Sequence, residues 1–176
     1  MKIAVYCSAN NELVMRYAQQ TEELGEWIAK EGHTLVFGGT NQGLMEVIAR
    51  SVKKGGGMVT GVVPSLVEQN GRSSQYMDVE IPTDNLSDRK DLMLQQCDVA
   101  IALPGGVGTL DEIFSMAASH CIGYHTKRVV LYNMDGFWDS LVHLLDDLSS
   151  KGVMRGDWHD LIGVAESLEE IKTLIS

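Results

Sequence analysis

The stretch VAIALPGGVGTLDEIF, Val99 to Phe114, runs from five apolar residues through a proline and three glycines into a threonine and two acids. Its first part does not alternate between apolar and polar positions, so VAIAL reads as a strand buried on both faces. Such a strand needs a covering layer on either side, and helices placed between strands supply it. The pattern repeats outward along the chain. KIAVYC (Lys2 to Cys7) precedes an amphipathic segment from about Glu12 to Glu31, with Leu13, Tyr17, Leu24, Trp27 and Ile28 on one side and Gly32 closing it. TLVF ends at Gly38 and Gly39, a helix from about Gly43 to Lys54 follows, and GGG (Gly55 to Gly57) leads into MVTGVV before Pro64.

Downstream, Ser65 to Gln75 reads as a polar loop, MDVEI (Met77 to Ile81) as a short strand and about Asn85 to Gln96 as a helix. VVLY and IGVA are further strands, and helices are expected near Gly108 to Ile122 and Phe137 to Lys151. A last helix begins at Ser167, whose hydroxyl forms a capping box with Glu170. The expected fold is α/β: a doubly wound, mostly parallel sheet with helices on both faces and right-handed crossovers, in a single domain over residues 1–176.

Composition narrows the function. With 44% hydrophobic and 22% charged residues and no apolar run near the roughly 20 residues of a membrane helix, no membrane partner is expected. The start MKIAVYCSA suits a first strand better than a secretory signal, so the expected location is cytoplasmic. A formal net charge of -10 argues against nucleic acid, whose phosphates need Lys and Arg. Cys7, Cys97 and Cys121 are odd in number and lack CxxC spacing, which fits buried thiols rather than disulfides or zinc. His120 and His125 lie five apart without an HExxH pattern, so no metal is expected.

In open α/β sheets ligands bind beyond the carboxyl ends of the strands, where strand order reverses. Three segments fall there: Ser8, Gly38 to Thr40, and Pro104 to Thr109. Glycines let a backbone approach a ligand, and free N–H groups at a helix start attract an anion, so the last segment reads either as a phosphate site or as close strand-to-helix packing. It is no standard nucleotide loop, because Gly106-x-Gly108-x-x-Asp111 lacks the final glycine of the dinucleotide fingerprint and no GxxxxGK[ST] occurs. The acids favour a ligand. Helical side chains lean toward the N-terminus, so Glu112 would point back across one turn, about 5.4 Å, which is comparable with the span from a 5'-phosphate to the anomeric carbon. Asp111 reads as plain compensation of the helix dipole. Arg89 and Lys90 oppose the dipole in the first turn of their own helix, at the same sheet edge, and an anionic ligand accounts for them better than solvation does.

At these residues the sequence resembles a known family. PGGVGTLDE matches the PGGxGTxxE motif, and DRK (Asp88 to Lys90) lies at the expected distance upstream, of the family named for the plant Lonely guy enzymes, whose members are often labelled lysine decarboxylase-like. IAVYCS, LGEWIAKEGHTLVFGG, GLMEVIA and IGYHTKRVVLYNMDGFWDSL are similar to family segments in family order, so the resemblance spans nearly the whole chain. It implies a Rossmann-like fold, usually dimeric, and a cytokinin riboside 5'-monophosphate phosphoribohydrolase that releases free base and ribose 5-phosphate, many members also accepting AMP. It further implies that Gly105, Gly106, Gly108 and Thr109 hold the phosphate, that Arg89 and Glu112 form the catalytic pair, and that Ser8, Gly39, Lys90 and Met93 line the nucleotide site. Three positions depart from the family: the turn CSANN is poorer in Gly and Ser, Glu46 stands where Gly is common, and Asp111 replaces a frequent Glu.

No cofactor is implied, since pyridoxal chemistry needs a Schiff-base lysine with an acidic partner and the chain is short for those enzymes. In the hydrolase reading Glu112 activates water or stabilises the developing ribose cation, while Arg89 neutralises the phosphate or fixes Glu112. The alternative is a non-catalytic carrier of a nucleotide or of the molybdenum cofactor, which would not require Arg89 and Glu112 together. The helix from Gly108 carries Ile113, Phe114, Met116, Ala117 and Ala118, more apolar positions than one sheet-facing side needs, which predicts a homodimer.

Overall fold

The computed structural model describes Met1–Ser176. Seven strands form one sheet: β1 (Lys2–Tyr6), β2 (Thr34–Phe37), β3 (Met58–Pro64), β4 (Val79–Thr83), β5 (Val99–Ala102), β6 (Val129–Tyr132) and β7 (Ile162–Ala165). Their order is β4-β3-β2-β1-β5-β6-β7 and every neighbouring pair is parallel. The chain builds outward from β1 to β4, then crosses back to place β5 on the other flank of β1. That reversal opens a crevice between the carboxyl ends of β1 and β5, held in register where Tyr6 pairs with Ala102.

Seven helices cover the sheet: α1 (Val14–Lys30), α2 (Gly43–Lys54), α3 (Ser65–Gln69), α4 (Leu86–Gln96), α5 (Val107–Cys121), α6 (Asp139–Ser150) and α7 (Leu168–Ile175). Alternate residues of β1 serve opposite layers. Ile3 and Val5 pack with Leu24 of α1, Ile48 of α2 and Ile171 of α7, whereas Ala4 and Tyr6 pack with Met93 of α4, Ile113 of α5 and Leu141 of α6. Apolar side chains on both faces explain the unbroken hydrophobic runs of the strands. α1 and α2 cross closely because Gly25 has no side chain: a Cβ there would lie 2.6 Å from Cβ of Ser51, whose hydroxyl donates to the Glu22 carbonyl at 2.7 Å. No helix is long and apolar enough to cross a membrane.

The structure corrects several expected boundaries. The fourth strand is not Met77 to Ile81 but Val79–Thr83, with Pro82 inside it. It is an edge strand, so the N–H that proline lacks removes no ladder bond on the open side. Asp78 ends the approach, its carboxylate accepting from the Val59 N–H at 2.9 Å. Within the expected loop Ser65 to Gln75, the first five residues form the single turn α3. The rest runs beside the end of β2, with Ser74 N–H donating to the Gly39 carbonyl at 2.8 Å and Asn41 N–H to that of Arg72 at 2.7 Å. A 3-10 turn, Asn11–Leu13, takes the start of the first expected helix, and another, Met134–Gly136, delays α6 to Asp139. At α7 the Glu170 carboxylate accepts from the Glu166 N–H rather than closing on Ser167 itself. Cys7 and Cys97 are buried, but Cys121 is exposed.

Ile48 is fully buried between sheet and α1, whereas Met15 is 98% exposed on α1. Urea unfolding should show Ile48→Ala losing about 2 to 5 kcal/mol through lost burial and the cavity left behind. Met15→Ala should stay within about 0.5 kcal/mol of the parent.

Candidate functional site

The chain leaves β1 and β5 side by side. Leu103 N–H donates to the Tyr6 carbonyl at 2.9 Å and Ser8 N–H to that of Pro104 at 3.2 Å, so the two loops start as one braced edge. Past Pro104 the glycine turn enters α5 with Gly106 as its N-cap, and no side chain caps the helix. No protein group accepts from the N–H of Val107, Gly108 or Thr109. Three free donors on the positive end of a 15-residue helix form a candidate anion site. The start of α2, at the same edge, is already occupied: Asn11 Oδ1 accepts from Gly43 N–H at 2.8 Å and the Ser8 carbonyl from Leu44 N–H at 3.0 Å.

A cavity of about 260 Å³ lies over the α5 start, lined by Cys7, Ser8, Ala9, Met45, Arg89, Gly106, Gly108, Thr109 and Glu112. The glycines of the turn play different parts. A Cβ on Gly106 or Gly108 would meet nothing within 4 Å, so both present bare backbone to the cavity, whereas one on Gly105 would lie 2.6 Å from Thr109 Cβ. Gly105 therefore makes room for the buried Thr109 and lies behind the cavity wall. A wider groove of about 450 Å³ near the carboxyl end of β4 is lined by Asp84, Asp88 and Asp91 without a cation and would repel an anion.

Glu112 sits one turn into α5 with a side chain only 5% exposed. Arg89, in the first turn of α4 and 13% exposed, brings Nη1 to 3.4 Å from Glu112 Oε1 while its Nε donates to the Val62 carbonyl at 3.3 Å. The ion pair is a charge contact without a hydrogen bond, and Oε1 is a buried atom with no hydrogen-bond partner. Burial raises the Glu112 carboxyl to about 7; Arg89 pulls it down, Asp111 pushes it up and Lys90 lowers it. The same low-polarity surroundings hold the Cys7 thiol well above its usual range, with Glu112 adding to the rise and Arg89 opposing it. A carboxyl poised near neutrality beside an anion site can exchange a proton or face a developing cation.

Of the residues expected at the site, Ser8, Arg89, Gly106, Gly108, Thr109 and Glu112 meet at one cavity. Gly39, Lys90, Met93 and Gly105 do not line it. Met93 is fully buried in the core beneath α4. Lys90 Nζ donates to Asp111 Oδ1 at 2.8 Å, so Asp111 is half of a bridge between α4 and α5 rather than a lone compensator of the dipole. Gly39, at φ +79°, packs its backbone against Val63 and Met77. Cys7, Ala9 and Met45 join the lining without having been singled out; the signal for the first two was adjacency to Ser8 at the end of β1. The rings of His120 and His125 lie 5.7 Å apart with their planes tilted by 42°, and no group of three metal-ligating side chains exists.

A family model described as possible lysine decarboxylase matches residues 45–175. Among curated proteins, the chain is 34% identical to the probable cytokinin riboside 5'-monophosphate phosphoribohydrolase LOGL1 of Oryza sativa subsp. japonica, over 97% of this chain and 76% of that one. It is 30% identical to the cytokinin riboside 5'-monophosphate phosphoribohydrolase LOG2 of Arabidopsis thaliana, over 99% and 82%. Among solved structures, a structural-genomics target is 25% identical with a TM-score of 0.75, covering 99% of this chain and 97% of that one. The molybdenum cofactor carrier protein of Chlamydomonas reinhardtii shares the fold at a TM-score of 0.73 and 24% identity, with coverage of 99% and 96%. With a family match over most of its length and relatives at 30% identity or more across nearly all of it, the chain belongs to the family described as possible lysine decarboxylase, which includes the Lonely guy phosphoribohydrolases.

Proposed function

We propose that the protein hydrolyses the N-glycosidic bond of an adenine-type nucleoside 5'-monophosphate, a cytokinin riboside 5'-monophosphate or AMP, releasing free base and ribose 5-phosphate. The observation that carries this reading is the buried Arg89–Glu112 pair on the wall of a cavity whose floor is the uncapped start of α5. The 5'-phosphate binds the free N–H groups of Val107, Gly108 and Thr109, with Gly106 and Gly108 admitting it to the backbone. Arg89 adds the cation that the helix start lacks. Held by its phosphate, the nucleotide places its ribose one turn along α5, beside Glu112. Leaving of the base puts positive charge on the ribose, and the ionised Glu112 carboxylate stabilises that charge and orients the attacking water. The names of the curated relatives support this chemistry.

Neither rival explains the carboxylate. A carrier needs the anion grip, but a buried acid next to a bound phosphate only weakens its hold. Pyridoxal-dependent decarboxylation needs a lysine amine in the cavity, and the lining contains none: Lys90 is tied to Asp111, and Lys127 Nζ donates to the Leu94 carbonyl.

Assembly follows from α5. Ile113, Met116 and Ala117 are buried against the sheet, while Phe114 is 39% and Ile122 62% exposed on the outward side. This second apolar face fits the homodimer expected from the sequence.

Incubation of the purified protein with AMP, isopentenyladenosine monophosphate and their nucleosides should release base from the nucleotides and little from the nucleosides. Comparable kcat/KM for AMP and adenosine would defeat the phosphate anchor. Glu112→Gln should lower kcat about 10² to 10⁴-fold while calorimetry still detects AMP binding, and Arg89→Ala should damage both.

Because the working form of Glu112 is the carboxylate and its carboxyl lies at about 7, kcat/KM should climb as pH rises from 5 to 8 and level off above it. A profile flat across that interval would remove ionisation of Glu112 from the rate. Light scattering at micromolar concentration should give twice the chain mass, falling to a monomer for Phe114→Glu; a monomeric parent would contradict the dimer.

A further inference from the structure

Arg89 reaches Glu112 from the neighbouring helix of the same layer, and the path of its guanidinium is narrow. The side chain leaves α4, passes the end of β3, where Nε donates to the Val62 carbonyl, and crosses the end of β2 before Nη1 meets Glu112. At that crossing stands Gly38, the first residue after β2, buried and without a positive φ. An added Cβ there would overlap Arg89 Nη2 and lie 2.9 Å from its Cζ and 3.1 Å from Met45 Sδ. Its neighbour Gly39 differs: Gly39 has a positive φ that favours glycine, and a Cβ on it would meet Val63 and Met77 rather than any group of the cavity wall.

We infer that Gly38 is a positioning residue for the reaction: its missing side chain is the space that the Arg89 guanidinium occupies beside the end of β2 where it approaches Glu112. The atoms in the way of a larger residue are the ends of two long side chains, above all Arg89 and at the margin Met45, not backbone, so the fold has no need to shift. The arginine yields instead. Its Nε bond to Val62 and its approach to Glu112 share one rigid planar group, so displacement of Nη2 moves Nη1 with it. The consequence is electrical as well as geometric, because the guanidinium is the largest influence that holds the Glu112 carboxyl down against burial.

The inference rests on Arg89 and Glu112 being the working pair, and its test carries a readout independent of turnover. Gly38→Ala, Arg89→Ala and the double variant would be compared with the parent by circular dichroism, by kcat/KM for AMP, and by carbon-13 NMR titration of Glu112, assigned with Glu112→Gln. Gly38→Ala should remain folded, lose about 10 to 100-fold in kcat/KM, as a displacement near 1 Å at a catalytic group can cause, and titrate Glu112 at higher pH, the same direction expected of Arg89→Ala. The double variant should be no worse than Arg89→Ala, since both changes remove one contact. Should Gly38→Ala fail to fold, Arg89→Ala in the same chain should restore folding. A Glu112 titration unchanged by Gly38→Ala would overturn the inference, as would a Gly38→Ala loss that persists undiminished without Arg89, or misfolding that Arg89→Ala does not relieve. Absence of any turnover in the parent would instead defeat the hydrolase reading, and the NMR titration would still decide the place of Gly38.

Discussion

A carboxyl group buried one turn inside a helix needs a cation brought to it, and the upper edge of this sheet is arranged around that need. Glu112 cannot draw a counter-charge from its own helix, because α5 has no basic residue before His120 in its last turn. The cation comes from α4, across the crevice, and has to pass the ends of β3 and β2 to arrive. Each element it passes gives way: Val62 offers a carbonyl, Gly38 offers space and Met45 offers a soft thioether edge. A cation in the first turn of α4 opposes the helix dipole, a cost of about 0.3 to 1 kcal/mol that the buried partner offsets.

The reversal of strand order determines where this meeting happens. β1 is the only strand whose two neighbours, β2 and β5, follow it by different routes, so the loops after β1 and β5 part to opposite faces. α2 packs on one face and α5 on the other, and both begin at the crevice. α5 keeps its first three amides free, whereas Asn11 and the Ser8 carbonyl take the first two of α2. The start of α5 is therefore the better candidate for an anion of the two helix starts at the crevice. Two adjacent ion pairs then tie α4 to α5: Arg89 to Glu112 inside and Lys90 to Asp111 outside.

Those pairs also mark what the sequence could and could not convey. The strands were legible because parallel sheets demand unbroken apolar runs, and the glycine turn was legible because it interrupts one. Arg89 and Glu112 were legible as charges placed against or beside a helix dipole at a common edge. Lys90 and Met93 lie off that cavity for a reason rooted in helix geometry. Successive residues on a helix point about 100° apart, so Lys90 cannot share the direction of Arg89, and Met93, four residues on from Arg89, shares its side of α4 one turn further into the core. One helix alone does not reveal which of its sides faces the cavity; that is set by the crossing of α4 over β2 and β3, a tertiary fact. Gly39 and Gly105 look like ligand glycines in one dimension, yet they relieve contacts with Val63 and Thr109. The edge strand β4 was offset because Pro82 argues against a strand wherever edge position is unknown.

The arrangement carries a cost in stability, and its sign can be followed. Folding raises the Glu112 carboxyl from 4.5 to about 7, so the folded chain holds that proton more tightly than the unfolded one. Below pH 4.5 both states are protonated and nothing is lost; between 4.5 and about 7 the unfolded chain ionises first and gains relative to the fold; above 7 the loss is complete. At about 1.4 kcal/mol per pH unit, the penalty near neutrality is roughly 3 kcal/mol even with Arg89 in place. A buried ion pair whose nearest atoms are 3.4 Å apart and share no hydrogen bond does not repay the desolvation of its carboxylate. The missing hydrogen bond leaves Oε1 ready to accept from a hydroxyl on whatever enters the cavity. The fold thus forgoes stability at an atom on the wall of the cavity, the atom that faces the ribose in the proposed reaction.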